Sequence, residues 1–141
     1  AASRGARATL VASMDEVEAE AVNVLAEVTG TEPALPHVMV LTPRSGWWRC
    51  AVERGASMAA FSEVLRRVAA ARPRRTVLFV ANTGHELGHV GNRRFEEERP
   101  GYIKGTYLCV HLGANWASAH VGPDDEALLL QASDEDALSA A

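Results

Sequence analysis

The chain has 141 residues, of which 48% are hydrophobic and 23% are charged. These values are typical of one globular domain, and they exclude a disordered or collagen-like chain. The formal net charge of -4 argues against a general nucleic-acid binder. The longest apolar runs, such as VLFVA, are far shorter than the roughly 20 residues that span a bilayer, and AASRGARATL lacks the apolar core of a signal peptide. We therefore expect a single domain over residues 1–141, with no nucleic-acid or membrane partner; its compartment stays open.

Extended and helical patterns alternate along the first half of the chain. We predict strands over 8–13, 23–28 and 37–42, and the third is a continuous apolar run suited to a central strand. A long loop follows. From Ala56 the apolar residues recur at the spacing i, i+3, i+4, which predicts an amphipathic helix that ends before Pro73.

The second half continues the alternation. The run over 75–81 is the strongest strand candidate, and it leads into a predicted helix over 85–99 that ends before a proline. We predict a further buried strand over 106–112, another strand over 126–132, and a helix over 133–141 whose first residue caps it.

Apolar strands separated by helices indicate βαβ units with a mostly parallel sheet that is covered on both faces. The predicted fold class is therefore α/β, a three-layer αβα sandwich. Ligand sites in such folds lie at the carboxyl ends of the strands. This rule points to three loops, 43–55, 82–89 and 111–120, as the candidate site.

The run HELGH carries one recognisable motif. His85, Glu86 and His89 match H-E-x-x-H, in which two histidines one helical turn apart bind zinc and the glutamate acts as general base. The extended form of the motif requires glycine and histidine at two positions that here hold Asn92 and Phe95. The motif also follows a predicted strand after only a short loop. A single-zinc protease is therefore one alternative.

A longer stretch carries a second pattern. RTVLFVANTGHELGHVGNRRF resembles the signature of the co-catalytic zinc exopeptidases, the family of bacterial leucyl aminopeptidases and glutamate carboxypeptidase. In that family a strand of the type R-x-V-x-F-V runs through a polar loop into E-E-L-G-x-x-G-S. Upstream, NVLAEVTG and HVMVLT resemble two family strands, and CAVERGASMAAFSEVLR resembles the family's next loop and helix. Downstream, YLCVHLGAN resembles a strand that ends at a metal ligand. The resemblance covers roughly residues 20–115.

The resemblance implies a role for four residues. The family's general base falls on His85, and the zinc-binding glutamate that follows it falls on Glu86. The aspartate that bridges two zinc ions falls on Glu53, and the aspartate at the later strand end falls on His111. The family's H-x-D ligand pair falls on Pro43 and Ser45.

These matches imply a metal-dependent hydrolase that cleaves an amide or peptide bond in a peptide or small amide, with a reduced site holding one zinc ion. The expected ligands are Glu86 and His111, completed by Glu53 or His89, while His85 is a ligand or the base. The alternative from another class is a non-catalytic exopeptidase-like domain that serves as a binding or assembly module.

The family has a further C-terminal segment that supplies another histidine ligand. We therefore expect the chain to represent the family's domain only in part. An incomplete sheet would leave an apolar edge or face exposed. The expected consequence is self-association or dependence on a missing segment or a partner subunit.

Overall fold

A computed structural model describes residues 7–113 of the chain. Strands and helices alternate in this order: β1 Val24–Val28, β2 His37–Pro43, α1 Ala56–Ala71, β3 Val77–Asn82, α2 Val90–Glu98, α3 Pro100–Lys104 and β4 Thr106–His111. A π-helical turn, Ala51–Gly55, leads directly into α1. None of the helices in this part of the chain has both the length and the apolar character needed to cross a membrane. The strand predicted over 126–132 and the helix over 133–141 lie outside the described residues.

The four strands form one sheet in the order β1-β3-β2-β4. Strand β2 pairs in parallel with both β3 and β4, whereas β1 pairs antiparallel with β3. This confirms the predicted α/β class and the mostly parallel sheet. Strand β3 lies between two neighbours and all of its residues are buried, as its unbroken apolar run predicts.

Alternate residues of β2 and β3 face opposite sides of the sheet. On one side Phe79 packs against Phe61 of α1, with the two rings edge to face and their centroids 5.4 Å apart. On the other side Leu78 and Val80 pack against Phe95 of α2. Helices therefore contact both faces of the sheet. The carboxyl ends of the parallel strands lead into the connecting loops.

The strand predicted over 8–13 is wrong. These residues have no regular structure, and Leu10 and Val11 are almost fully exposed. With only two large apolar residues in six, the segment offers too little apolar surface to offset the conformational entropy it would lose on joining the sheet.

Strand β4 forms where the sequence predicts, but the prediction that it is buried is wrong. Five of its six residues are exposed, among them Tyr107, Leu108 and Val110. The reason is its place in the sheet, since within residues 7–113 it has β2 on one side and no strand on the other. An apolar composition predicts a strand, but it does not distinguish a central strand from an edge strand.

Candidate functional site

The parallel strands bring three connections to one edge of the sheet. Backbone hydrogen bonds continue past the strand ends, because the Arg44 N–H donates to the Asn82 carbonyl (2.7 Å) and the Leu112 N–H donates to the Leu41 carbonyl (2.8 Å). The loops after β2 and β3 therefore start side by side. They carry the residues that the sequence singles out.

The HELGH run is a series of turns and not the start of a helix, so the predicted helix over 85–99 begins late, at Val90. Gly84, Gly88 and His89 have φ angles of 66°, 76° and 61°. Left-handed backbone interrupts a right-handed helix. The regular helix in which a single-zinc protease carries its two histidines is therefore absent from this segment.

Glu86 is held by the loop that follows β2. The Ser45 hydroxyl donates to Glu86 Oε2 (2.9 Å), and Arg54 Nη2 donates to Glu86 Oε1 (3.0 Å). The Ser45 hydroxyl also accepts the His85 backbone N–H (3.1 Å). The side chain of Glu86 is only 11% exposed, so both of its oxygens face protein donors and little water.

Arg54 lies at the centre of the cluster, on the π-helical turn before α1. The same atom that contacts Glu86, Nη2, lies 3.0 Å from Glu53 Oε1. Its Nε donates to the Ser45 carbonyl (2.7 Å), and its side chain is 7% exposed. One buried guanidinium thus bridges two carboxylates and ties together three segments of the chain.

The electrostatics of Glu86 reflect this arrangement. Burial alone raises the pKa of its carboxyl group, but hydrogen bonds from its own backbone N–H, from Ser45 and from Arg54 outweigh burial. The net effect holds the pKa of Glu86 below its ordinary value. Glu86 is therefore a carboxylate at neutral pH, which suits an ion-pair partner and not a proton donor.

Three histidines gather next to this cluster. The rings of His85 and His89 stand edge to face with their centroids 4.3 Å apart. Partial burial lowers the pKa of His111, and the charges of His85, His89 and Arg54 lower it further. Burial likewise lowers the pKa of His85, followed by the charges of His89 and Arg54. The site thus favours the neutral imidazole at His85 and at His111.

This depression of the pKa predicts how stability depends on pH. Below about pH 6.5, the ordinary histidine value, an unfolded chain takes up protons at His85 and His111 before the native chain does. Stability should therefore fall as the pH drops from 7 into this window. Urea unfolding at several pH values between 5.5 and 7.5 measures the slope, and His111→Gln should flatten it. Arg67→Ala, which keeps every histidine, should retain the wild-type slope; an equal slope in His111→Gln would contradict the prediction.

The loop between Ser45 and Glu53 has a strained backbone. Trp48 and Cys50 have φ angles of 50° and 23°, which non-glycine residues rarely adopt. The Trp48 side chain is 95% exposed. The Cys50 thiol donates to Glu53 Oε2 (3.1 Å), and this hydrogen bond, with a smaller effect of burial, raises the pKa of Cys50. A protonated thiol thus helps to hold Glu53 in place.

A zinc ion in the arrangement that the exopeptidase resemblance implies does not fit these donors. Zinc needs ligand atoms at about 2.0–2.3 Å, whereas the two carboxylates already enclose a guanidinium nitrogen at 3.0 Å. Both oxygens of Glu86 are engaged by protein donors. Across residues 7–113, no three histidine, cysteine or acidic side chains are grouped so that they could hold a metal ion.

Of the predicted site residues, the structure brings Glu53 and Glu86 together around Arg54, with His85 beside them and His89 against His85. His111 lies close enough to both other histidines for their charges to lower its pKa. Sequence reasoning missed Arg54 and the role of Ser45. The available signal was position: Arg54 directly follows Glu53, and Ser45 stands where the resemblance implies a metal ligand.

Two surface grooves lie away from this cluster. Both are shallow and occur near the amino ends of β2 and β4, and His37 lines each of them. Neither is lined by a predicted site residue. The candidate site is therefore an ion-paired cluster at the opposite edge of the sheet, identified by its chemistry and not by its depth.

Comparison of the sequence with known proteins leaves the family open. No family model matches the chain, and no curated protein matches it either.

Proposed function

We propose that the chain is a zinc-exopeptidase-like domain, with a three-layer αβα architecture, that has lost its metal centre and serves as a non-catalytic binding or assembly module. The observation that carries this proposal is the position of Arg54, whose Nη2 lies 3.0 Å from both Glu53 Oε1 and Glu86 Oε1. Helices packed on both faces of the sheet support the layered architecture.

The chemistry of the cluster supports binding over catalysis. A hydrolytic centre needs a group poised to take a proton from water, or a metal position open to water. Here Glu86 is locked between Ser45 and Arg54, and Glu53 lies between Cys50 and Arg54. Neither carboxylate keeps the freedom of a general base. The cluster instead fixes the loops at this edge in one arrangement.

The exposed edge strand supports an assembly role. Tyr107, Leu108 and Val110 of β4 are 66%, 47% and 39% exposed, and the strand lies at the edge of the described sheet. An unpaired apolar edge favours pairing with another strand. We therefore propose that the chain self-associates through β4.

One set of measurements tests both parts of the proposal. Purified chain is incubated with zinc chloride and desalted, and then assayed for bound zinc and for hydrolysis of aminoacyl amides; we expect neither.

Sedimentation velocity should show a concentration-dependent dimer that Val110→Lys shifts to monomer, because a charged edge resists pairing. Leu10→Lys, an exposed apolar residue far from β4 in sequence, is the matched control. Monomeric wild-type chain would contradict the assembly role.

The second candidate is the zinc-dependent hydrolase that the resemblance implies. The contact between His85 and His89, with His111 close by, favours it, because imidazole is a common zinc ligand. Retention of one zinc ion per chain, together with zinc-dependent hydrolysis, would support this candidate and overturn the non-catalytic one. Loss of zinc in His111→Ala but not in His89→Ala would favour the exopeptidase arrangement, and the reverse would favour a single-zinc protease.

A further inference from the structure

Two tryptophans lie exposed on the loop that follows β2. Trp47 and Trp48 are 60% and 95% exposed, and the centroids of their rings are 6.3 Å apart. The base of the loop is fixed, because Arg54 Nε donates to the Ser45 carbonyl and the Ser45 hydroxyl donates to Glu86. Tryptophan and arginine are enriched in binding hot spots. A tryptophan pair on a fixed base is therefore a candidate docking surface.

The loop around the two tryptophans is positively charged. Arg44 and Arg49 flank the pair in sequence, both are exposed, and neither forms an ion pair within residues 7–113. The acidic residue of the same loop, Glu53, is already paired with Arg54. Indole rings beside unpaired guanidinium groups are complementary to a partner that carries apolar and acidic side chains together. The surface therefore fits an acidic amphipathic segment.

The chain before β1 has the sequence of such a partner. Residues 13–22, the acidic segment, read SMDEVEAEAV, in which Ser13 and Glu16 match the S-x-x-E capping box that starts a helix. The residues that follow are mostly good helix formers, and acidic side chains in a first turn stabilise the helix N-terminus. On a helix, Met14 and Val17 share one face at the spacing i, i+3. The sequence of the segment thus favours a short amphipathic helix.

The structure leaves this helix unformed. The acidic segment has no regular structure, and Met14 and Val17 are 91% and 78% exposed. Its four acidic residues form no ion pair with any other part of the chain that the structure describes. An isolated helix of this length is marginal in water. The segment therefore needs a surface that covers its apolar face.

The acidic segment ends beside the tryptophan loop. Arg44 Nη1 donates to the Val22 carbonyl (2.5 Å), a contact that suits the C-terminus of a helix. The Asn23 side chain then anchors the chain to the loop after β3 and to α2. The Cα atom of Trp47 lies at most about 11 Å from that of Arg44, and a helix over the acidic segment is about 15 Å long. The segment is therefore long enough to reach the tryptophan pair.

We propose that Trp47 and Trp48 form a docking surface for an acidic amphipathic helix, and that the acidic segment of the same chain occupies it. Docking buries Met14 and Val17 against the indole rings and brings the acidic side chains to Arg49. The tether gives the segment a high effective concentration at the surface, so the burial of a few apolar side chains offsets the nucleation of the helix. This inference is independent of metal binding and of β4 pairing.

Hydrogen exchange of the full chain, followed by mass spectrometry of peptides that cover residues 7–23, measures docking, because a docked helix protects its amides. We expect exchange to be at least about tenfold slower than in a synthetic peptide of the same sequence. Val17→Ser should lower the ratio of docked to undocked chain about tenfold, the equivalent of the burial of one valine. Replacing both Trp47 and Trp48 with serine should remove the protection.

Ala19→Ser and Leu10→Ser are the matched controls. Ala19 lies on the side of the helix opposite Val17, and Leu10 precedes the capping residue. Both variants should keep the wild-type protection within about twofold, since alanine and serine differ little in helix propensity. All the substituted side chains are exposed, so the variants retain the fold. As a second readout, Val17→Ser should shift the tryptophan emission to longer wavelength, and neither control should do so.

Three outcomes would overturn the inference. The first is a wild-type segment that exchanges as fast as the free peptide, and the second is protection that survives the loss of both tryptophans. The third is protection that rises with protein concentration, which would place the segment on a second copy. Repeating the measurement in Val110→Lys removes any contribution from β4 pairing. Dimerisation or zinc binding by the wild-type chain bears on the proposed function alone.

Discussion

Replacing Arg54 with alanine is expected to lower the free energy of unfolding by about 3–5 kcal/mol, the range seen when one partner of a buried ion pair is removed. Arg54 and Glu86 are both largely buried, and the guanidinium is the counter-ion of two carboxylates. The variant also loses the hydrogen bond from Arg54 Nε to the Ser45 carbonyl. The loops after β2 and β3 then lose the contact that ties them to the start of α1.

Urea denaturation at pH 7, followed by circular dichroism, measures this change. Arg67→Ala is the matched control, because it removes an arginine whose ion pair with Glu63 lies on the exposed surface of α1; exposed pairs contribute little to stability. Glu86→Gln should destabilise the chain less than Arg54→Ala, since Arg54 keeps Glu53 as its partner. Equal stability of Arg54→Ala and Arg67→Ala would contradict a central role for Arg54.

The regular elements of this fold are largely readable from the sequence. Strand β3, predicted over 75–81, is correct to within two residues, and helix α1 is correct to within one, because an unbroken apolar run and an i, i+3, i+4 pattern each have one simple structural solution. The parallel pairing of β2 with β3 follows from the helical connection between them. What pattern alone does not specify is exposure, since β4 has the composition of a central strand and lies at an edge.

The HELGH segment shows that the residue spacing of a motif does not establish the backbone conformation that the motif requires. His85 and His89 have the spacing of a helical pair, but three left-handed residues, two of them glycines, prevent the helix that would give the spacing its meaning. Glycine within a helix is unfavourable by about 1 kcal/mol relative to alanine. The two glycines were visible in the sequence, but the left-handed conformation of His89 was not.

The sequence predicts the two acidic residues of the candidate site, Glu53 and Glu86, but it does not predict that Arg54 lies between them. Glu53 and Glu86 meet because the carboxyl ends of parallel strands share an edge. Arg54 was overlooked because arginine is common in this chain and its neighbour Glu53 carried the resemblance. The π-helical turn decides which way the Arg54 side chain points, and one residue of register separates an exposed arginine from a buried one.

Gly91 sets the distance between α2 and the loop after β3. A Cβ atom at this position would lie 2.4 Å from both Asn23 Oδ1 and the Thr83 carbonyl oxygen, and 2.8 Å from the Thr83 nitrogen. The Asn23 side chain donates to the Gly91 carbonyl (2.7 Å) and accepts the Thr83 N–H (3.0 Å), so one amide links the residue before β1 to the loop and to α2. Contacts this short with backbone atoms cannot be relieved by a side-chain rotation.

Gly91→Ala is therefore expected to destabilise the chain by about 3 kcal/mol, the upper end of the usual range for overpacking. Gly101→Ala is the control of opposite sign: a Cβ at Gly101 meets nothing within 4 Å, and alanine in place of glycine within a helix is favourable by about 0.5–1 kcal/mol. Urea denaturation of both variants measures the difference.

Because Gly91 fixes the end of the HELGH turns, its displacement should also weaken the hydrogen bonds from Ser45 and Arg54 to Glu86. Combining Gly91→Ala with Arg54→Ala should then cost less than the sum of the two single changes, the mark of two sites that share one structural unit. Strict additivity would mean that α2 and the ion-paired cluster are held independently.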